Sequence, residues 1–223
     1  ATASGKSVVA LEVARHRPGT ELVSMDSMAV YRGMDVGTAS PTASQRTEVP
    51  HHLVDLVDPT EEFSVSRFQR AARRVIADLS GRHVRAVLVG GTGLHVRSVV
   101  DNLEIPGRWD DLRDRIEAES DTAALHRRLA ELDPVAAGRM EPSNRRRIVR
   151  ALEVTLGSGR PFSSFGPGLS SYPPTPFAQI GLSLNRQLLD RRIAERYERQ
   201  LDEGFLDEVR ALAALPGGPS RSA

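Results

Sequence analysis

The stretch that decides the fold opens the chain, where residues 1–14 read ATASGKSVVALEVA. Its residues 4–7, SGKS, match the end of a GxxxxGK[ST] phosphate-binding loop, whose first glycine would stand one position before Ala1. In such a loop, backbone N–H groups and the N-terminus of the next helix surround phosphate oxygens, while the lysine adds positive charge. An apolar helix is expected to follow and to end near Pro18-Gly19. The predicted phosphate ligands are Thr2, Ala3, Ser4, Gly5, Lys6 and Ser7, with the Ser7 hydroxyl on Mg²⁺.

The composition narrows the class of protein. Of the 30 basic residues, Lys6 is the only lysine, so a chain that otherwise uses arginine keeps a lysine in the loop. The absence of cysteine excludes disulfides, thiolate metal sites and a cysteine nucleophile, and it fits a cytoplasmic protein. No apolar run approaches the length of a membrane span, and the net charge of +1 does not by itself indicate a nucleic-acid partner.

The order of helix and strand patterns predicts an α/β fold. Residues 21–25 and 84–89 read as strands, and 63–79 carry apolar residues at helical spacing. This alternation around a phosphate loop predicts a P-loop NTPase-like core with a parallel sheet. Residues 177–184, FAQIGLSL, read as a further strand of that sheet, followed by a long helix capped by Asn185.

The middle of the chain differs, because residues 108–156 show only helical patterns, with helix starts at Asp133-Pro134 and Ser143-Asn144. Gly157 and Gly159 are expected to end the last helix, and residues 160–176 form a linker rich in Pro, Gly and Ser. We therefore expect a catalytic core of residues 1–107 and 176–223, and an all-helical insertion of residues 108–175.

Four stretches are expected at the carboxyl edge of the sheet, where such folds bind ligands: the loop and residues 26–39, 50–59 and 90–96. Asp26 follows a strand and is the candidate carboxylate, which keeps a nucleotide-binding, ATP-binding kinase open; the alternative is a turn or helix-cap aspartate. His51 and His52 are adjacent, and neighbouring side chains rarely converge on one metal ion.

The helical insertion is rich in arginine. Arg139, Arg145, Arg146, Arg147 and Arg150 face a single acid, Glu141, in that window. At helical spacing, Arg146, Arg147 and Arg150 form a basic face, which is either a solvated surface or a contact surface for a phosphate backbone.

Six blocks in order resemble the tRNA dimethylallyltransferases, a family of tRNA isopentenyltransferases. They read TASGKS, DSMAVYRGMDVGTASPT, VPHHLVDLVDP, LVGGTGLHV, LHRRLAELDPVAAGRM and RRRIVRALEV, and they span nearly the whole chain. The resemblance implies transfer of a dimethylallyl group from its diphosphate to N6 of an adenosine next to the anticodon in tRNA, with Mg²⁺ as the metal. The loop would then hold the departing diphosphate.

The resemblance also implies roles for individual residues. Asp26 would accept the proton of the adenine amine, Thr2 would approach the bridging oxygen and C1, and Lys6 and Arg192 would bind the diphosphate, with Arg191 and Arg196 as rivals of Arg192. The implied tRNA contacts are Asp26, Ser27, Met28, Ala29, Thr92, Arg113, Arg146, Arg147, Ile148, Val149 and Arg150. The partners would be the anticodon stem-loop of tRNA and dimethylallyl diphosphate. The protein is expected to be a monomer and not to associate with a membrane.

The sequence departs from the family pattern at His95, where an aromatic residue is usual, and at Ser143-Asn144, in place of Asn-Asp. The chain stops at GGPSRSA, whereas the family continues through further helices, so the implied site is incomplete. Three alternatives stay open: an adenylate isopentenyltransferase acting on free AMP, ADP or ATP, a small-molecule P-loop kinase, and a non-catalytic RNA-binding module.

Overall fold

The computed structural model describes residues 2–166 and 171–223. It divides into two compact units: unit 1 comprises 1–100 and 175–223, and unit 2 comprises 101–174. Ala1, the second position of the expected phosphate-loop motif, and residues 167–170 of the expected linker lie outside the described residues.

The elements follow in chain order. The first part of unit 1 contains α1 (Lys6–His16), β1 (Thr20–Ser24), α2 (Asp35–Thr38), α3 (Ala43–Glu48), β2 (His51–His52), α4 (Val65–Gly81), β3 (Arg85–Val89) and α5 (Gly93–Val100). Unit 2 contains α6 (Asp110–Glu117), α7 (Thr122–Leu132), α8 (Pro134–Gly138), α9 (Arg145–Ser158) and a 3₁₀ turn (Phe162–Ser164). The rest of unit 1 adds α10 (Arg186–Asp202) and α11 (Phe205–Ala213).

A parallel sheet lies at the centre of unit 1, in the order β2-β1-β3. The apolar residue Val23 of β1 is fully buried and packs in one cluster with Phe68 of α4. Because parallel strands end at the same edge, the loops that begin at Leu53, Met25 and Gly90 leave the sheet together. The predicted α/β class, with a parallel sheet and an inserted helical unit, is confirmed.

Unit 2 is built from helices around its own apolar core. Leu129 of α7 and Ile148 and Leu152 of α9 are fully buried in it. The predicted helix starts are confirmed: the Asp133 side chain accepts from Ala136 N, with Pro134 in the first turn, and the Asn144 side chain accepts from Arg147 N. Helix α9 runs through Gly157 and ends at Ser158, with Gly159 in the left-handed conformation as its C-cap.

The strand expected at 177–184 is wrong. These residues pair with no strand among the described residues, and Ile180 is 89% exposed. The alternating pattern predicts one apolar face, but a strand also needs a neighbour for its backbone N–H and C=O groups, and Gly181 has no side chain to pack. The next prediction is confirmed, since the Asn185 side chain caps α10 at Leu188 N.

Candidate active site

The predicted phosphate loop, residues 2–7, forms a turn that ends directly in α1. Ala3 and Gly5 have φ values of 54° and 89°, and Gly5 is the residue before the helix. This left-handed turn lets successive N–H groups and the N-terminus of α1 point to one place, which is how proteins bind phosphate. The Lys6 ammonium donates to Ser4 Oγ at 3.3 Å and lies over Gly91, where an added Cβ would be 3.4 Å from Nζ. Gly91 therefore leaves room for the lysine.

One cavity of about 920 Å³ adjoins the loop, and it lies entirely within unit 1. Residues 2–7, Asp26, Met28, Ala29, the segment 37–42 and Val89-Gly90-Gly91 line it together with residues of α10. The structure thus brings the loop and the candidate carboxylate to one cavity. Ser27 and Thr92 lie beside it, with their hydroxyl oxygens 3.5 Å apart.

Asp26 follows β1 and combines the two roles that the sequence left open. Its Oδ1 accepts a hydrogen bond of 2.8 Å from Met28 N, which is the geometry of an aspartate turn. The described residues give its Oδ2 no partner, and the side chain lines the cavity. One oxygen therefore fixes the turn, while the other is available to a ligand.

His95 is buried beneath this edge of the sheet. Its ring meets the Phe68 ring edge-on, with centroids 4.5 Å apart, and its Nδ1 has no partner among the described residues. Burial lowers the pKa of His95, and the negative charge of Asp26 opposes that effect. The histidine therefore packs as an aromatic ring whose neutral form is favoured by burial.

Helix α10 supplies the cationic wall of the cavity. Arg192, Arg196 and Arg199 line it at helical spacing, together with Glu195, whereas Arg191 does not line it. Arg196 Nη1 donates to Thr2 Oγ1 at 3.2 Å, and Arg192 Nη1 would lie 3.8 Å from a Cβ added to Gly5. Two of the three arginines that the sequence left as rivals thus reach the loop.

In unit 2, a buried carboxylate organises two of the predicted tRNA contacts. Glu153 has a side chain that is 1% exposed; it lies 2.6 Å from Arg150 Nη1 and 3.5 Å from Arg113 Nη1, and it also accepts from Trp109 N at 2.9 Å. Its charge is therefore compensated inside the unit. Arg113 and Arg150 carry partners of their own chain before any RNA is bound.

The other predicted contacts of α9 separate by exposure. Arg146 and Arg147 are exposed and have no ion pair among the described residues. Ile148 and Val149 are 0% and 1% exposed within the core of unit 2, so their side chains face that core, and their contact with tRNA stays a prediction for the backbone of the segment. Arg145 donates to the backbone oxygens of Glu117, Glu119 and Ser120, and so holds the end of α6.

The two adjacent histidines do not converge on a metal. His51 Nδ1 lies 2.7 Å from Val49 O, and His52 Nε2 lies 2.6 Å from Glu21 Oε2. No group of three or more His, Cys, Asp or Glu suited to a metal ion occurs in the part of the chain that the structure describes. The Ser7 hydroxyl, exposed at the start of α1, lines the same cavity as the loop.

Sequence reasoning placed residues 26–39 at this edge of the sheet, but it did not name residues 40–42, which also line the cavity, or the side chains that hold the backbone at Val36 and Gly37, which are Gln200 and Glu208. Neither carries a recognisable motif. The amide and carboxylate act on backbone groups more than 160 positions away, which no local pattern encodes.

Comparisons with known proteins agree on one family. The sequence profile described as IPP transferase matches residues 29–222. The tRNA dimethylallyltransferases of Geobacter metallireducens and Pseudarthrobacter chlorophenolicus are each 48% identical, over 95% and 96% of this chain. The chain spans 70% and 71% of the length of these two relatives.

Solved structures give the same likeness. The tRNA isopentenylpyrophosphate transferase of Bacillus halodurans matches with a TM-score of 0.60 and 38% identity, over 95% of this chain and 67% of its own. The corresponding enzyme of Staphylococcus epidermidis matches with a TM-score of 0.64 and 31% identity, over 99% and 73%. A eukaryotic dimethylallyltransferase acting on tRNA shares the fold, with a TM-score of 0.76 at 23% identity.

Proposed function

Because the chain belongs to the IPP transferase family, we propose that it transfers a dimethylallyl group from dimethylallyl diphosphate to N6 of an adenosine next to the anticodon of tRNA, with release of diphosphate. The observation that carries the proposal is the single cavity lined by the phosphate loop, by Asp26 and by the arginines of α10. It offers anion-binding groups on two sides and the Asp26 carboxylate, whose Oδ2 has no partner among the described residues.

The leaving group is the part of the substrate that this cavity fits best. As the allylic C1–O bond breaks, its electron pair and negative charge pass to the diphosphate. The N–H groups of the loop, the Lys6 ammonium and the guanidinium groups of Arg192 and Arg196 would stabilise that charge. Such preorganised donors lower the barrier because they need no rearrangement during the reaction.

Thr2 and Asp26 complete the proposed chemistry. Thr2 Oγ1 accepts from Arg196, which leaves its own hydroxyl proton to donate to the bridging oxygen of the substrate. The adenine amine forms the N6–C1 bond and loses a proton, which Asp26 would accept through Oδ2. Diphosphate leaves with the electron pair of the broken C1–O bond, while the lone pair of the amine forms the new N6–C1 bond.

A magnesium ion fits the residues present. In phosphate-loop sites the Ser or Thr hydroxyl of the loop binds Mg²⁺ together with waters and substrate phosphates, and the Ser7 hydroxyl lines the cavity where it would serve as that ligand. When bound, the ion would neutralise part of the charge of the diphosphate.

The tRNA would be held by unit 2 and by the residues beside the cavity. The adenosine has to leave its stack to reach Asp26, at a cost of about a few kcal/mol, and contacts to the RNA backbone offset that cost. The exposed Arg146 and Arg147 are suited to such contacts.

Within the described residues, no helix is both long and apolar enough to span a membrane. For the protein as a whole, the proposed tRNA substrate and the lack of cysteine support a cytoplasmic location.

The test supplies the protein with labelled dimethylallyl diphosphate and one acceptor at a time. We expect label in an anticodon stem-loop, none in AMP, and none in a matched stem-loop whose target adenosine is replaced by guanosine. Label in AMP alone would favour the adenylate isopentenyltransferase, and transfer of the γ-phosphate of ATP to a small molecule would favour a kinase. Either result contradicts the proposal.

A further inference from the structure

One wall of the cavity is a backbone segment that is held partly by local hydrogen bonds and partly by the C-terminal helices. Residues 37–42 line the cavity, and they begin in α2, a helix of only four residues. A helix this short has marginal stability, because almost every one of its N–H and C=O groups needs a partner from elsewhere. Local hydrogen bonds supply some of these partners, from Ala39 N to Val36 O and from Ser40 N to Asp35 O, and the C-terminal helices α10 and α11 supply further ones to the backbone at Val36 and Gly37.

The first anchor is Glu208 of α11, which binds the backbone N–H groups of Val36 and Gly37. Its two carboxylate oxygens accept from Val36 N at 2.8 Å and from Gly37 N at 2.9 Å. The Phe205 ring closes the same contact: a Cβ added to Gly37 would lie 2.8 Å from its Cε2. Helix α11 therefore approaches the wall as closely as a glycine allows.

The second anchor is Gln200 of α10, which holds the carbonyl groups. Its Nε2 donates to Val36 O at 2.5 Å and to Gly37 O at 3.0 Å. Gln200 is 4% exposed, and its amide adds a further donor to two carbonyl oxygens that also accept from Ala39 N and from Arg196. The peptide groups at Val36 and Gly37 are thus held from both sides.

The same segment connects to the phosphate loop through one guanidinium. Arg196 Nη2 donates to Gly37 O at 3.4 Å, and its Nη1 donates to Thr2 Oγ1 at 3.2 Å. Gly37 O therefore receives both Gln200 and Arg196, one turn apart on α10. A shift of this carbonyl would release Arg196 from its fixed orientation over Thr2.

We propose that Gln200 and Glu208 are positioning residues of the anion site: by holding the backbone at Val36 and Gly37, they fix Arg196 against the phosphate loop. The inference rests on the proposed function for the identity of the anion, a diphosphate. The positioning role of Gln200 and Glu208 is inferred from the hydrogen bonds alone and does not depend on the identity of the anion. Neither side chain has to touch the substrate for this role.

The experiment measures the affinity for inorganic diphosphate by calorimetry, without tRNA, in Gln200→Ala and Glu208→Gln. The matched control is Asp207→Asn, the same chemical change one residue away on α11, where the carboxylate is 80% exposed and pairs with Arg210. We expect binding about three- to thirty-fold weaker in both variants, the size expected when a charged donor loses its anchor, and an unchanged affinity in the control. The KM for dimethylallyl diphosphate should rise with the dissociation constant, while the KM for tRNA stays nearly constant.

A double-mutant cycle separates positioning from general destabilisation. Since the effect passes through Arg196, Glu208→Gln should add little to the loss of affinity in an Arg196→Ala background. Full additivity with Arg196→Ala, or unchanged affinity in folded variants of a wild type that binds diphosphate, would overturn this inference alone. A wild type that binds no diphosphate would overturn it together with the proposed function. If Gln200→Ala does not fold, Glu208→Gln alone decides, because it retains the shape of the side chain.

Discussion

At the scale of single residues, Lys6 shows how one side chain is selected by its surroundings. Its ammonium lies over Gly91 and beside Ser4, at the start of α1, where the loop N–H groups converge. A compact charge with a flexible stem fits this space, whereas a planar guanidinium is bulkier. This explains why a chain otherwise without lysine has one here.

For Lys6→Ala, we expect a higher KM for dimethylallyl diphosphate and slower transfer, because the leaving group loses a stabilising charge. A contact of this type is worth ~3 kcal/mol, or about a hundredfold in rate. Steady-state kinetics with an anticodon stem-loop as acceptor measures both effects. Unchanged kinetics would contradict the assignment of the loop.

Asp26→Asn separates the two oxygens of the carboxylate. Asparagine can still accept from Met28 N, so the turn should persist, but it cannot take a proton. We expect turnover to fall about 10²–10⁴-fold while tRNA affinity changes far less. Asp78→Asn, on the exposed side of α4, is the control. Equal losses of binding and turnover would make Asp26 a residue that only positions the substrate.

His95 makes the stability of the protein depend on pH. Its folded-state pKa is lowered by burial, against the opposing charge of Asp26, so the unfolded chain takes up its proton first as the pH falls. The stabilisation is therefore complete above the ordinary histidine pKa and declines as the pH falls below it. His95→Phe keeps a ring against Phe68 but does not titrate, so chemical denaturation between about pH 7.5 and 5 should show a shallower decline. An identical decline in stability in the wild type and in His95→Phe would show that His95 is not responsible. Burial also lowers the pKa of His51, so this residue contributes to the pH dependence of both proteins.

At the scale of elements, α9 carries two kinds of arginine on one helix. Arg150, like Arg113 of α6, is paired with the buried Glu153, whereas Arg146 and Arg147 are exposed at its first turn. A buried pair that loses one partner leaves an uncompensated charge, so the first kind stabilises unit 2. Arg146 and Arg147 can pair with phosphate without breaking an ion pair of unit 2 among the described residues.

Replacing Arg146 and Arg147 together by alanine should therefore weaken tRNA binding and flatten its dependence on salt. Each lost phosphate contact lowers the slope of log affinity against log salt concentration by about 0.7–0.9. Fluorescence titrations over a salt series measure this, with the exposed pair Arg127→Ala and Arg128→Ala on α7 as a control of equal charge. The same slope in both double variants would contradict a specific contact by α9.

At the scale of the whole molecule, the two units have separate cores, and the loop and the exposed arginines belong to different ones. Substitutions with no shared partners usually add. We therefore expect the Arg146 and Arg147 double variant to bind inorganic diphosphate like the wild type, and Lys6→Ala to bind tRNA like the wild type. A loss of diphosphate affinity in the double variant, measured by calorimetry, would show coupling between the units.

The sequence by itself determined the features whose chemistry is local. The phosphate loop, the caps at Asp133, Asn144 and Asn185, and the strand before Asp26 depend on residues within a few positions of one another, and the structure has each of these turns, caps and the strand where they were predicted. Helix caps and left-handed turns are decided by nearby backbone groups, so a short window contains the necessary information. The six ordered blocks added the family.

Only the tertiary structure decided which side chains meet. It placed Arg192 and Arg196 at the cavity beside the loop and Arg191 outside it, and it buried Ile148 and Val149. Among the described residues, it left 177–184 without a strand partner. It also brought Gln200 and Glu208 to the backbone at Val36 and Gly37. Burial, strand pairing and contacts between distant segments depend on how complete elements pack against each other, and that information is spread over the whole chain rather than held in any one stretch.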